Sequence, residues 1–504
     1  MSATVLGIDV GTSLIKICLV DADAVCLAEA ERPVRTAMPE AGVAEQDGAA
    51  VIAAILAMLA ELAERQPEAV SRLAAIGASG QTAGSIAVDR QGAPLTPWYP
   101  SALDTRFRPQ LERMKAIAAD VLFARNGAWP FTTPRMLWWR DTSPATFDAI
   151  ACVPSLAGFV IGSLAEAPLP AMACDATTLT WYGAADLAAR RWDDDLVRAF
   201  GLPAAVLPTL VPSFSVVGAL GRSVAAATGL SPGIPLVVGI GDTVASLIGA
   251  NVLTPGEVYS VNGSFINYLV CLDRCLIDAG QERFQPLASP LDDVWYAILY
   301  VAGGGFVHRR MAELLGGGEG PETFAALDEA AGAVPPGAAG LAFMPYMLGR
   351  FCPPQPHASG GFHGLTLAHG RGEAWRAVME GLTFDLIDTT EAIAEHIEGW
   401  RPQTLRLTGG GARSALWCRM QADMLGVPAE RFGAAPSAPT GAALTAGVAV
   451  GLWPDLRSAA GRIRLQSDRF EPDRANTEAY ARLAGRRRGL IERLKPAWDY
   501  LAEA

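Results

Sequence analysis

Residues Val5–Asp21, VLGIDVGTSLIKICLVD, return in altered form at Tyr259–Asp273, YSVNGSFINYLVCLD. At one constant offset Gly11 falls on Gly263, Thr12 on Ser264 and Asp21 on Asp273. Each copy is two apolar runs meeting at a glycine and a hydroxyl residue, the pattern of a β-hairpin with a tight turn. A second echo follows. Leu236–Ser246, LVVGIGDTVAS, and Leu405–Ala415, LRLTGGGARSA, both read as strand, Gly-rich turn and helix. Two matching pairs in the same order predict an internally duplicated α/β protein with two related lobes. The boundary is expected near Leu247–Gly256, where Thr254-Pro255-Gly256 reads as a turn. A length of 504 residues is enough for two such cores.

Composition narrows what those lobes can do. With 51% hydrophobic and 18% charged residues, the chain is neither disordered nor a solvated polyelectrolyte. Its 40 Lys+Arg against 52 Asp+Glu give a formal charge of −12, which argues against wrapping nucleic acid. A local phosphate site built from backbone amides stays open. The eight cysteines are scattered, and the nearest pair, Cys271 and Cys275, has no second pair or histidine beside it, so buried thiols are expected rather than zinc. The most membrane-like window, Ile234–Leu253, carries Asp242 in its middle and reads as a core strand followed by a helix. No basic leader precedes the first strand. A cytoplasmic protein without membrane or nucleic-acid partners is the expectation.

Helices are expected over Gly48–Arg65, Arg190–Phe200, Phe324–Ala331 and Glu373–His396. Leu73–Ser79 reads as a strand, and Ile86–Asp89 followed by Gln91-Gly92 as a hairpin. Gly316–Gly320 reads as a connector. Beyond Trp453 the chain reads as a basic helical tail, with Arg486-Arg487-Arg488 on a solvated face.

Three positions could carry chemistry. Asp9 ends a strand just before Gly-Thr-Ser, where a carboxylate either caps the turn or meets a metal–phosphate group cradled by it. Asp242 stands between a strand and an apolar helix, as a helix cap or as a general base at the carboxyl end of a strand. Gly409-Gly410-Gly411 allows close backbone approach to a ligand, without the spacing of a dinucleotide or P-loop motif. No His-Glu-x-x-His is present, and no Gly-x-Ser-x-Gly elbow has an evident histidine partner, which disfavours metalloproteases and α/β-hydrolases.

Together these motifs resemble the FGGY family of carbohydrate kinases, over about 450 residues. GIDVGTSLIK (7–16) resembles its first phosphate motif, Glu45-Gln46-Asp47 its short acidic motif, and IGASGQ (76–81) with LDTR (103–106) its sugar-facing strand and loop. TPRMLWW (133–139) is similar to a Lys-containing signature, with Arg135 in the Lys position. VVGIGDTVAS (237–246) looks like the stretch holding the catalytic base. In the second half, NGSF (262–265) resembles the second phosphate motif and 360–384 the second signature, with Ala374 unusual there. LTGGGARSALW (407–417) resembles the adenosine motif and TGAALTAG (440–447) the helix start after it. Trp181–Leu220 looks most like the xylulokinase branch.

The resemblance implies a fold of two actin-like, ribonuclease H-like lobes with a nucleotide cleft between them. Its lobes would cover 1–250, with the sugar side and the base, and 251–452, with the nucleotide side; 453–504 would be a helical extension. The implied activity is transfer of the γ-phosphate of ATP, with Mg²⁺, to a ketose or polyol. Asp242 would be the base and Asp9 the metal-holding carboxylate. Gly11, Thr12, Ser13, Lys16, Gly263, Ser264, Gly303, Gly410 and Gly411 would bind ATP, and Gln81, Thr82, Asp104 and Arg106 the sugar. A homodimer is a further expectation. The rival reading is a sensor or scaffold that keeps the kinase fold and binds sugar or nucleotide without turnover.

The sugar side departs from the xylulokinase pattern. Thr82-Ala83 stands where Met-His follows the glutamine, and Ala102 where a Trp precedes Asp104 by two, with Trp98 nearby as a substitute. Gly349-Arg350-Phe351 replaces Gly-Glu-Arg, and the aspartate expected before an Ala-Ser segment is missing near Met172. D-Xylulose is therefore expected to be at best a modest substrate.

Overall fold

The computed structural model describes residues 2–263, 265–301, 303–432, 437–464 and 467–503. By contacts the chain forms two units: Met1–Leu253 with Pro286–Trp295 and Pro436–Arg464, and Thr254–Gln285 with Tyr296–Ala435 and Leu465–Ala504.

The first unit begins with β1 (Thr4–Val10), buried along its length. β2 (Leu14–Asp21) and β3 (Cys26–Pro33) follow as antiparallel neighbours. Helix α1 (Gly48–Arg65) starts at Asp47, whose carboxylate accepts from the Ala49 and Ala50 amides. It turns Val51, Ile55, Met58, Leu59 and Leu62 into the core at helical spacing. β4 (Leu73–Gly80) then lies parallel to β1. β5 (Val216–Ala219), β6 (Pro235–Val237) and the short β7 (Ile240–Gly241) complete the sheet, and α2 (Asp242–Gly249) leaves directly from β7. The order is β5-β6-β4-β1-β2-β3, with β7 also on β4. Because β1 and β4 are covered on both faces, they read as apolar runs without alternation.

The second unit repeats this plan. β8 (Glu257–Asn262) and β9 (Ile266–Leu272) form the second hairpin, in antiparallel register from Val258↔Val270 to Asn262↔Ile266. β10 (Trp295–Val301) precedes the helices α3 (Gly304–Gly316), α4 (Pro321–Gly332) and the long α5 (Arg371–His396). β11 (Thr404–Thr408) lies parallel to β8, and after α6 (Ala415–Leu425) β12 (Ala429–Phe432) lies parallel to β11. The chain then supplies α7 (Ala438–Ala449) to the first unit before returning with β13 (Ser467–Phe470), antiparallel to β12, and α8 (Arg474–Ala502). Within the second sheet the run β10-β9-β8-β11-β12-β13 follows the order β3-β2-β1-β4-β6-β5 of the first, and Gln285–Ala288 adds a further strand beside β10.

That correspondence corrects the second sequence echo. β11 occupies the place of β4, the parallel neighbour of the hairpin, so Leu405–Ala415 matches the strand at Leu73 rather than Leu236–Ser246. Strand, glycine and helix recur throughout α/β proteins, and order along the chain alone does not fix the partner. The expected tail, 453–504, is divided as well: its start belongs with the first unit, and β13 and α8 with the second. The Ile86–Asp89 hairpin reduces to isolated bridges from Val88 to Pro94 and Cys152. Arg190–Phe200 splits into a strand, Arg191–Trp192, and a helix, Asp194–Ala199, capped by Asp193. Six of the eight cysteines are buried, but Cys26 is exposed and Cys275 half-buried. Among the described residues no helix is long and apolar enough to cross a membrane.

Arg487 is not on a solvated face. It is buried, its guanidinium bonding Asp385 (3.0 Å), Asp388 (3.3 Å) and the Tyr346 hydroxyl (2.6 Å). Arg350, the residue in the unusual Gly-Arg-Phe, shares Asp385 at 3.0 Å. The basic run and that departure thus belong to one ion-pair network joining α5 to α8. Arg488 reaches Asp388 and Glu391 from the outside.

Helix α7 lies against β1, β4 and α2 at a distance only glycine permits. A Cβ on Gly7 would stand 1.7 Å from the Pro439 carbonyl oxygen, one on Gly77 2.4 Å from that of Ala442, and one on Gly441 1.9 Å from that of Ala245. These are backbone atoms, so no side chain can swing away. Gly7→Ala is expected to cost about 3 kcal/mol, the upper end for overpacking, read as a lower denaturant midpoint. An unchanged midpoint would show that α7 is not seated this closely.

Candidate active site

In the first unit, the β1–β2 turn is closed by the Gly11 amide donating to the Leu14 carbonyl at 2.9 Å. Two glutamines hold it from behind. Gln46 Nε2 donates to the Thr12 carbonyl (3.0 Å), and Gln81 Nε2 to the Gly11 carbonyl (3.4 Å) and to Gln46 Oε1 (2.9 Å). With its carbonyls so engaged, the turn leaves Thr12 and Ser13 exposed. Gln46, noticed in sequence only as part of an acidic motif, is therefore a support of the turn, and Gln81 serves the turn as much as any sugar.

Asp9 lies one strand step from that turn, paired across β2 with Lys16 and across β4 with Ser79. The Ser79 hydroxyl donates to its Oδ1 at 2.8 Å, and Oδ2 lies 3.8 Å from where a Cβ of Gly11 would stand, toward the turn. Asp242 is the first residue of α2; the cap is Gly241, so Asp242 is not the N-cap. Its Oδ1 accepts from the Thr243 amide (2.7 Å) and hydroxyl (3.3 Å). Burial pushes the Asp242 carboxyl up to about 6, against those bonds. Burial and then the charge of Asp242 push Asp9 up to about 7, against Ser79 and Lys16. The fold thus brings the two sequence-flagged carboxylates within electrostatic reach beside one turn.

On the acceptor side, Thr82 and Ala83 are half-buried at the end of β4. A Cβ on Gly241 would stand 2.8 Å from Thr82 Cγ2, so Thr82 borders the residue ahead of Asp242. Trp98 packs beneath: a Cβ on Gly84 would stand 2.2 Å from its ring, and its indole N–H, buried, has no partner among the described residues. Asp104 does not fit a direct sugar contact, because it has no exposed surface. One oxygen is bound by Arg135; the other by Arg106 Nη2 (2.5 Å) and the Ala44 amide (3.1 Å). Burial would raise its carboxyl, but the bond from Arg106 and the charge of Arg135 outweigh it and hold the group below its usual range. Arg135 is itself buried, its guanidinium 4.7 Å from the Tyr99 ring centre and 4.8 Å from that of Trp138. What this cluster presents outward is Arg106, which also pairs with Glu45 at 2.9 Å.

The aspartate expected near Met172 is three residues on. Asp175, followed by Ala176-Thr177 where Ala-Ser was sought, is fully buried and bonded to Thr177.

In the second unit, Gly409 takes φ +87, and a Cβ there would stand 2.7 Å from the Asn262 carbonyl oxygen. A Cβ on Gly411 would stand 2.4 Å from Trp417. The glycine turn is therefore folded down onto the end of β8, while Gly410 faces open space. Trp417 stacks on His308 at 4.7 Å, and burial pushes that imidazole down to about 3, so it is neutral. Gly303 caps α3 with φ +66. Gly263 is half-buried; Ser264 lies outside the described residues. Among the described residues no group of three or more His, Cys, Asp or Glu could hold a metal ion.

Two family models match this chain: the FGGY N-terminal domain over residues 4–249 and the FGGY C-terminal domain over 243–450. A xylulose kinase of Bacillus subtilis is 28% identical over 496 residues, covering 95% of each chain. A gluconokinase of the same organism is 27% identical over 439 residues, covering 84% of this chain and 83% of its own. The solved xylulose kinase of Rhodospirillum rubrum superposes with a TM-score of 0.89 at 28% identity, covering 98% of this chain and all of its own. The two α/β units are actin-like lobes, the build of a class of phosphotransferases. The chain belongs to the FGGY family of carbohydrate kinases. It is a sugar kinase, with ATP and a sugar as substrates.

Proposed function

We propose that the acceptor is a ketose or polyol and that Asp242 is the general base for the attacking hydroxyl. The observation carrying this is Asp242 at the start of α2, half-buried, with its carboxyl pushed up to about 6 and the phosphate turn's Asp9 close by. A base in that range is ionised at neutral pH yet basic enough to take a hydroxyl proton as the phosphoryl bond forms. In the first unit we assign phosphate binding to the Gly11-Thr12-Ser13 turn and Lys16; in the second, the family resemblance assigns Gly263, Ser264 and Gly303 to phosphate and Gly410 and Gly411 to the adenosine. Asp9 suits Mg²⁺: a hard carboxylate oxygen faces the turn, and that ion takes few protein ligands and keeps its waters. When bound, Mg²⁺ neutralises phosphate charge. Thr82, Ala83, Gln81 and Arg106 face the sugar, with Asp104 holding Arg106 in place.

Thr82-Ala83 gives a smaller wall with no imidazole donor, which favours an acceptor other than D-xylulose. ADP formation measured over a panel of ketoses, polyols and D-gluconate against ATP alone tests the reading. ADP release that depends on a ketose or polyol supports the reading; release with D-gluconate alone, or indifferent to every sugar, overturns it.

The pH dependence has a definite sign. Asp242 must be ionised to act, and its carboxyl takes up a proton at about 6. At saturating ATP, kcat/KM for the acceptor should fall about tenfold per pH unit below that point. A profile flat down to pH 5 would remove Asp242 as the base.

A further inference from the structure

A buried polar chain, Ser213–Asp175–Thr177, ends on the peptide just ahead of Asp242, and the reaction as described gives it no task. All three side chains are buried. Asp175 Oδ2 accepts from the Ser213 hydroxyl at 2.5 Å. Its Oδ1 accepts from the Thr177 hydroxyl at 2.5 Å and the Thr177 amide at 3.1 Å. Having donated its proton, Thr177 Oγ1 accepts the Gly241 N–H at 2.8 Å.

Gly241 is an unusual point to hold. As the cap of α2 it has no side chain to bond the free amides of the first turn, and Asp242 bonds the Thr243 amide instead. Glycine also leaves the backbone its widest choice of torsions, so the orientation of the next residue must be set from outside. The surroundings do this. Gly241 is hemmed between Thr82 and Thr177: a Cβ there would stand 2.8 Å from Thr82 Cγ2 and 3.2 Å from the Thr177 carbonyl oxygen. Two residues earlier, Gly239 bridges Cys174 in parallel register. The segment Cys174–Thr177 therefore grips the chain at two points, Gly239 and Gly241, just ahead of α2. Keeping Asp175 buried is costly; burial pushes its carboxyl up to about 6 despite the bonds from Ser213 and Thr177.

We infer that Thr177 and Asp175 are positioning residues for Asp242, with the Thr177 hydroxyl fixing the Gly241 amide and Asp175 fixing that hydroxyl. The inference rests on Asp242 being the base. Neither residue touches the substrate; each acts by holding the base at the distance and angle from which it reaches the acceptor hydroxyl.

The test compares Thr177→Val, Thr177→Ser and Asp242→Asn in the full chain. Valine keeps the shape but leaves the Gly241 N–H without its acceptor and Asp175 Oδ1 with only the residue-177 amide. Since small misplacements of a reacting group cost up to about 10²-fold, kcat for Thr177→Val should fall about 10- to 100-fold. KM for ATP should stay within about twofold, because the nucleotide-side residues are untouched. Thr177→Ser restores the hydroxyl and should return kcat to within about threefold of the parent. A merely structural role predicts a lower melting temperature with normal kcat per folded molecule. That result overturns the inference, as does a serine variant as slow as the valine one. If Thr177→Val does not fold, Ser213→Ala carries the test: a fall of about two- to fivefold in kcat at unchanged KM for ATP supports the inference, and an unchanged kcat overturns it. Asp242→Asn separates the layers. If it is fully active, the base assignment fails; if it is inactive while Thr177→Val is normal, only the positioning role fails.

Discussion

Asp242→Asn should fold, bind ATP normally and turn over about 10²–10⁴-fold more slowly, the usual loss when a general base is removed. The carboxylate is the only group of Asp242 that can take the acceptor's proton, and the amide keeps its size and its bond to the Thr243 amide. Equilibrium nucleotide binding and steady-state ADP release, measured on one preparation, separate the two effects. Turnover near the parent level in a protein that melts normally would leave Asp242 as an ordinary first-turn acid, stabilised by the helix dipole. The comparison is informative because a helix acid of that kind has no reason to be slow when neutralised.

Asp9→Asn should lose most of its activity, about 10²-fold or more, and yet gain stability. The sign follows from the carboxyl being pushed up from its ordinary value to about 7. Between the unfolded and folded values the native state binds the proton more tightly. Stability is therefore greatest at low pH and is lost as pH rises through about 7. At pH 8 the native protein carries an ionised, buried carboxylate beside another, a cost on the order of a few kcal/mol that asparagine removes. Thermal unfolding at pH 8 should show the variant melting above the parent, with the gap closing toward pH 5. A variant less stable than the parent at pH 8 would mean that Asp9 is held for the fold and not against it. Residual activity that rises with added Mg²⁺ would support the metal-holding role, whereas loss of acceptor affinity alone would oppose it.

Some of this was legible in the chain because local chemistry and fold agree. The two hairpins announce themselves through apolar runs around a glycine and a hydroxyl. Helix α1 begins where Asp47 can cap it and keeps its apolar residues on one stripe. Asp9 and Asp242 stand out in the sequence as candidates because each lies at the carboxyl end of a strand. What sequence could not show was pairing at a distance. Arg487 looks solvated in a run of three arginines until Asp385 and Asp388, about a hundred residues earlier, close over it. Asp104 reads as a sugar ligand until Arg135 and Arg106 are seen to occupy its oxygens. Asp175 was missed for a different reason: threonine replaced the expected serine, and a three-residue displacement hid the match. The Asp-Ala-Thr order was the available signal.

The seating of α7 has a consequence for how the chain comes into being. The first unit draws its sheet from the opening 253 residues, but the helix filling the grooves over Gly7 and Gly77 is supplied only at 438–449. A nascent chain leaving the ribosome therefore carries an unfinished first unit through most of its synthesis. The whole second sheet except its last strand, β13, is made in the interval. Long-range closure of this kind is slow, because the loop entropy must be met before the contact forms. Until then the apolar groove beside β1 and β4 is open to solvent and to other chains. A fragment ending near residue 253 should behave as a collapsed intermediate that holds chaperones, and adding residues 436–464 in trans should be the least addition that lets it set.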